Sequence, residues 1–101
     1  MQKNKQYKQL LANENSVQLA IIFGSIAMGK ETPESDLDIA ILEAKPMSIR
    51  RKYRLIEKLA LKTGRSIDLI DLHTVGEPLL GQILKYGQRI KNNDQLYYKR
   101  K

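Results

Sequence analysis

The chain has 101 residues, 42% hydrophobic and 29% charged, which predicts one globular domain and leaves no room for a second core. It has no cysteine and one histidine, His73, excluding disulfides, thiolate zinc sites, a cysteine nucleophile and multi-histidine metal sites within one chain. The net charge of +7 sits at the ends: residues 1–13 carry +3 and 85–101 carry +5, against −1 over 14–84.

In chain order, residues 2–13 place Tyr7, Leu10 and Leu11 at helical spacing among lysines and glutamines, predicting an amphipathic helix. Residues 17–23 form a run rich in β-branched side chains that stops at Gly24, a buried strand. The longest apolar run, Leu19 to Phe23, is far too short to span a bilayer, and no cleavable signal precedes it, so a cytoplasmic protein with no membrane association is expected. Gly29 to Ser35 has the composition of a loop, and Asp36 to Leu42 reads as a second strand. Pro46 and Ser48 open a long helix whose apolar positions Ile49, Tyr53, Ile56 and Ala60, widened by Leu55 and Leu59, predict one buried face with Tyr53 in the core. Arg50, Arg51, Lys52, Arg54 and Lys58 read as its solvated side, and Gly64 as its stop.

Residues 66–72 predict a third strand. Residues 77–86 predict a last helix with Leu79, Leu80, Ile83 and Leu84 in the core or partly exposed for association. Arg89-Ile90-Lys91 reads as an edge strand and 95–101 as a basic tail. The order predicts an α/β (α+β) fold, a small mixed β-sheet flanked by helices. A solvated tail is the plain reading of the charged ends; attraction to a polyanion such as a nucleoside triphosphate or RNA is the functional one.

The chemistry concentrates between the first two strands, where Gly24-Ser25 is followed, after ten residues, by Asp36-Leu37-Asp38. Residues two apart on a strand share a face, with Cα atoms about 6.5–7 Å apart, so Asp36 and Asp38 present adjacent carboxylates. Like charges this close are costly without a cation between them, and hard oxygen ligands suit Mg²⁺, which leaves coordination positions to substrate phosphates. Gly24 lets backbone approach a ligand, and the amides opening the next turn, with the Ser25 hydroxyl, can receive phosphate oxygens. A phosphate cradle facing a carboxylate pair is what nucleotidyl transfer requires. Singly, each residue has an ordinary alternative: a strand-ending turn for Gly24-Ser25, a cap for Asp36, and for Asp38 an ion pair with the basic helix.

Gly24-Ser25-x10-Asp36-x-Asp38 resembles the signature of the polymerase-β-type nucleotidyltransferase superfamily, and the short length with Ser66-Ile67-Asp68-Leu69-Ile70-Asp71-Leu72 resembles its minimal nucleotidyltransferase (MNT) group. The resemblance implies a polymerase-β-like fold, one minimal domain over 1–94, phosphate binding by Gly24 and Ser25, and two Mg²⁺ ions on Asp36, Asp38 and Asp68, with ATP as substrate. It implies that Asp68 also helps deprotonate the acceptor. Asp71, three residues on, is expected on the opposite face. The family commonly has basic residues where this chain has Ile26 and Met28, which leaves Lys30 as the nearest cation for the nucleotide. Proteins of this group imply the antitoxin of a HEPN–MNT toxin–antitoxin pair, which transfers AMP from ATP to a tyrosine of a HEPN RNase toxin and silences it. Direct nucleic-acid binding is not expected on this reading. A non-catalytic antitoxin that blocks the RNase by binding alone, and an RNA-binding module using the basic ends, remain open alternatives.

Overall fold

The computed structural model of the chain describes residues 2–92, with side chains from Tyr7 onward; the basic tail at 95–101 lies outside the described residues. In chain order the elements are α1 (Gln2–Ala12), β1 (Leu19–Phe23), α2 (Gly24–Ala27), β2 (Leu37–Leu42), α3 (Ile49–Thr63), β3 (Ile67–Asp71), α4 (Leu79–Tyr86) and β4 (Gln88–Asn92). The strands form one mixed sheet in the order β3-β2-β1-β4. β1 pairs antiparallel with both β2 and β4, while β2 and β3 run parallel, joined by α3 as their crossover.

Alternation divides the sheet residues between two faces. Ala20 and Ile22 of β1, Leu37, Ile39 and Ile41 of β2 and Leu69 of β3 meet Tyr7 and Leu11 of α1 and Leu55 and Leu59 of α3 in the main core. The intervening residues Ile21 and Ala40 pack beneath Ile83 of α4 in a smaller cluster. α3 starts where Ser48 accepts the Arg51 amide at 3.1 Å, and it ends at Gly64, whose left-handed backbone (φ 69°) closes the last turn.

The buried stripe of α3 differs from the one its spacing predicts. Leu55 and Leu59 are fully buried, whereas Tyr53 is 66% exposed and Ile49 74% exposed. Six residues apart, Ile49 and Leu55 lie about 120° apart round the helix and cannot share a face. The rotation is fixed by Arg51, which pairs with Glu43 at 2.7 Å and Glu14 at 3.2 Å, with Lys58 reaching Glu14 at 2.7 Å. The Lys58 hydrogen bond, assisted by Arg51, holds the Glu14 carboxyl below its ordinary range. Arg51 and Lys58 are therefore structural, and Arg50 and Arg54 remain on the exposed side. Of the four apolar residues expected in α4's core, Ile83 is buried, Leu79 and Leu80 are half-buried, and Leu84 is exposed.

β4 forms the outer edge beside β1, longer than the three residues expected. Its Lys91 Nζ donates to the carbonyls of Leu11 and Glu14, both at 2.9 Å, and so closes the C-terminal end of α1. No helix among the described residues is long and apolar enough to cross a membrane.

Candidate active site

The pairing of β1, β2 and β3 decides which acidic residues meet. Asp38 is the register partner of Phe23 on one side and of Asp68 on the other. Partners in a ladder share a face, so Asp38 and Asp68 stand side by side on the face of the smaller cluster, away from α3. That placement removes the ion pair with the basic helix as an account of Asp38. Asp36 lies one residue ahead of β2 rather than on it, exposed, and its charge still acts on Asp38.

Burial raises the Asp38 carboxyl above its ordinary value; the charges of Asp68 and then Asp36 raise it further, as does a hydrogen bond shared with Asp68. The three carboxylates predicted from sequence thus converge electrostatically on one atom group. Asp71 faces the other way, as its odd offset requires. Its carboxylate accepts the Met47 amide at 2.7 Å and the His73 amide at 2.9 Å. His73 itself bonds the Glu43 carbonyl through Nε2 at 2.7 Å, a structural contact.

Gly24 follows β1 directly and opens α2 with φ 76°, a backbone that side chains rarely tolerate. A β-carbon at this position would overlap the Asp38 carboxylate. Glycine here therefore serves two needs, a left-handed turn and unobstructed contact between that turn and the carboxylate. Ser25 lies in the same short helix, half-buried, and its carbonyl accepts the Lys30 amide at 2.9 Å, closing the turn. Lys30 is exposed at the end of that turn.

Ile26 packs against the main core, which explains why an apolar residue stands there. Met28 is 61% exposed and lines a cleft of about 330 Å³ with Phe23, Gly24, Leu79, Gln82, Ile83 and Tyr86. Sequence reading did not find this cleft. Its walls come from β1, α2 and α4, which only the folded chain brings together.

A divalent metal fits the donor set. Asp38 and Asp68 supply hard oxygens in contact, and the strain on Asp38 is of the kind a cation relieves. Among the described residues no three acidic or histidine side chains are gathered tightly enough to form a complete protein cage. Mg²⁺ needs none, since it is commonly held by one or two carboxylates and completes its shell with water and phosphate.

Comparison with known proteins identifies the family of the chain. Residues 5–96 match the family model for polymerase beta nucleotidyltransferases. A protein adenylyltransferase of Shewanella oneidensis, MntA, is 31% identical over 100 residues, spanning 96% of this chain and 72% of that protein. A crystal structure of a toxin–antitoxin with AMP-PNP contains a chain that superposes with TM-score 0.78 at 32% identity, covering 94% of this chain and 77% of that one. A second structure, of a tri-AMPylated Shewanella oneidensis HEPN toxin in complex with its MNT antitoxin, matches with TM-score 0.69 at 29% identity, covering 95% and 74%.

Proposed function

This chain belongs to the polymerase β nucleotidyltransferase family, and from that premise we propose that it is the antitoxin of a HEPN–MNT pair, a protein adenylyltransferase acting on its toxin. It transfers AMP from ATP to a tyrosine hydroxyl of the HEPN RNase and thereby silences that enzyme. The observation that carries this reading is the Asp38 carboxylate, set beside Gly24 and Asp68 and raised by burial and by two neighbouring acids.

Asp38 and Asp68, with Asp36 beside them, would hold the metal, and Gly24 and Ser25 would hold the triphosphate, with Lys30 as the cation of that loop. Two Mg²⁺ ions in this site would neutralise the phosphates, align the attacking oxygen and stabilise departing pyrophosphate. The sheet order supports separate approaches for the two substrates. Asp68 lies on the β3 side, while the apolar cleft begins at Gly24 on the β1 side. The cleft takes the nucleoside end of ATP, and the tyrosine approaches from the side of Asp68. Asp68 accepts the phenol proton as the tyrosine oxygen bonds to the α-phosphorus, and the bond to the β-phosphate bridging oxygen breaks to release pyrophosphate.

The test mixes the chain, the toxin, ATP and Mg²⁺, then weighs the toxin intact. One or more AMP increments are expected, reduced about 10²-fold or more in Asp36→Ala/Asp38→Ala. No increment, or one that persists in the double variant, overturns the assignment. The second reading, inhibition by binding alone, draws on the absence of a basic side chain at Ile26 and Met28. It predicts that the same double variant still rescues cells from the toxin.

A further inference from the structure

Asp36 is the least supported of the three carboxylates by its own strand. It precedes β2, so the sheet grips it only from its C-terminal side, starting at the Leu37 amide, which donates to the Ser66 carbonyl at 2.9 Å. Ahead of it, residues 32–35 fold into a small turn. The Ser35 amide donates to the Thr32 carbonyl at 3.0 Å, and the Thr32 amide to Ser35 Oγ at 2.8 Å. This turn is not free-standing. Arg65 Nη1 donates to the Thr32 carbonyl at 3.0 Å and the Ser35 carbonyl at 2.8 Å, while Nη2 reaches the Glu31 carboxylate at 3.2 Å. The Arg65 side chain is only 7% exposed, although Glu31 is open to solvent.

We propose that Arg65 is a positioning residue for nucleotidyl transfer, whose guanidinium grips the loop ahead of Asp36 from the foot of β3. Arg65 stands three residues before Asp68, and the carbonyl it holds belongs to the residue before Asp36. One planar group therefore ties together the two chain segments that deliver these carboxylates. The fork geometry matters: two carbonyls and a carboxylate accept from one rigid group, which an ammonium on a flexible stem cannot reproduce. Two of its three contacts go to backbone carbonyls, so the grip does not depend on which side chains the turn carries.

This inference rests on the metal-binding reading of Asp36, Asp38 and Asp68, and two separate readouts test it. The first is Mn²⁺ affinity, measured by calorimetry with a non-hydrolysable ATP analogue, for wild type, Arg65→Ala and Arg65→Lys. Supporting groups behind metal ligands typically change affinity 10–100-fold, so about a tenfold loss is expected for Arg65→Ala and a smaller one for Arg65→Lys. The second is the kinetics of AMP transfer to the toxin: kcat falls with KM for ATP nearly unchanged, and added Mg²⁺ recovers part of the loss. Lys58→Ala, which loosens α3 at its Glu14 contact, should change neither readout. Wild-type Mn²⁺ affinity in both Arg65 variants overturns the proposal. So does a loss that disappears once the folded fraction is accounted for. Should Arg65→Ala not fold, Arg65→Lys decides alone, by weaker Mn²⁺ binding or by none. Absence of AMP transfer in wild type would defeat the functional reading, yet the Mn²⁺ comparison would still judge Arg65.

Discussion

Under α1 and α3 the sheet buries eleven of the described side chains, and Arg51, Lys58, Glu14 and Glu43 tie that side's rim with ion pairs. Under α4 the same strands bury only Ile21, Ala40 and Ile83, and the far end of that face is given to carboxylates and an apolar cleft. Both faces are written by alternate residues of the same strands: Leu37 and Ile39 point into the thick core, and Asp38 between them points into the thin one. The contrast explains how a chain this small carries repelling carboxylates. Burial on one side supplies the stability that crowding on the other withdraws.

Three substitutions sharpen or break this contrast. Leu55→Ala, in the thick core, should lower the unfolding free energy by about 2–5 kcal/mol in a denaturant titration while leaving the transfer rate of the folded fraction intact. A parallel loss of rate would mean the faces are not independent. Gly24→Ala attacks the thin face. Its β-carbon must displace the Asp38 carboxylate, so transfer should fall about 30–100-fold, whereas the strained turn costs only about 1 kcal/mol of stability. The smallest effect on stability has the opposite sign. Asp38→Asn should abolish transfer and yet raise the melting temperature of the metal-free protein by about 2–5 °C at neutral pH. The sign follows from linkage: the folded-state value of Asp38 lies above its ordinary 3.8, so the ionised group weakens the fold above that raised value. The weakening fades as pH falls through the raised value towards 3.8, and the difference between variant and wild type should close over that interval.

The candidate site's carboxylates were legible because strand alternation is local. Asp38 with Gly24-Ser25 upstream, Asp68 one strand on and Asp71 at an odd offset can all be placed by counting. The order of elements likewise followed from Gly24, Ser48, Gly64 and Gly87 as punctuation, with boundaries of the first three strands and the last helix one or two residues tighter in the structure and β4 one residue longer at each end. The rotation of α3 was not legible. Two apolar stripes, one through Ile49 and Tyr53 and one through Leu55 and Leu59, compete on one helix, and distant Glu14 and Glu43 choose between them through Arg51. Arg65 was hidden for a related reason: two of the acceptors it holds are backbone carbonyls, which carry no residue identity, about thirty positions away. The cleft escaped because three separate elements wall it.

Lys91 has a bearing on how the molecule comes into being. It fastens the end of α1 from the last strand, and that strand covers the outer edge of β1. During synthesis the segment Leu19–Phe23 must therefore wait, with its outer hydrogen-bonding edge bare, until Gln88–Asn92 has been made. Such an edge invites pairing with foreign strands. A truncation at residue 87 would perpetuate that vulnerable interval, leaving α1 unfastened and the sheet open to self-association.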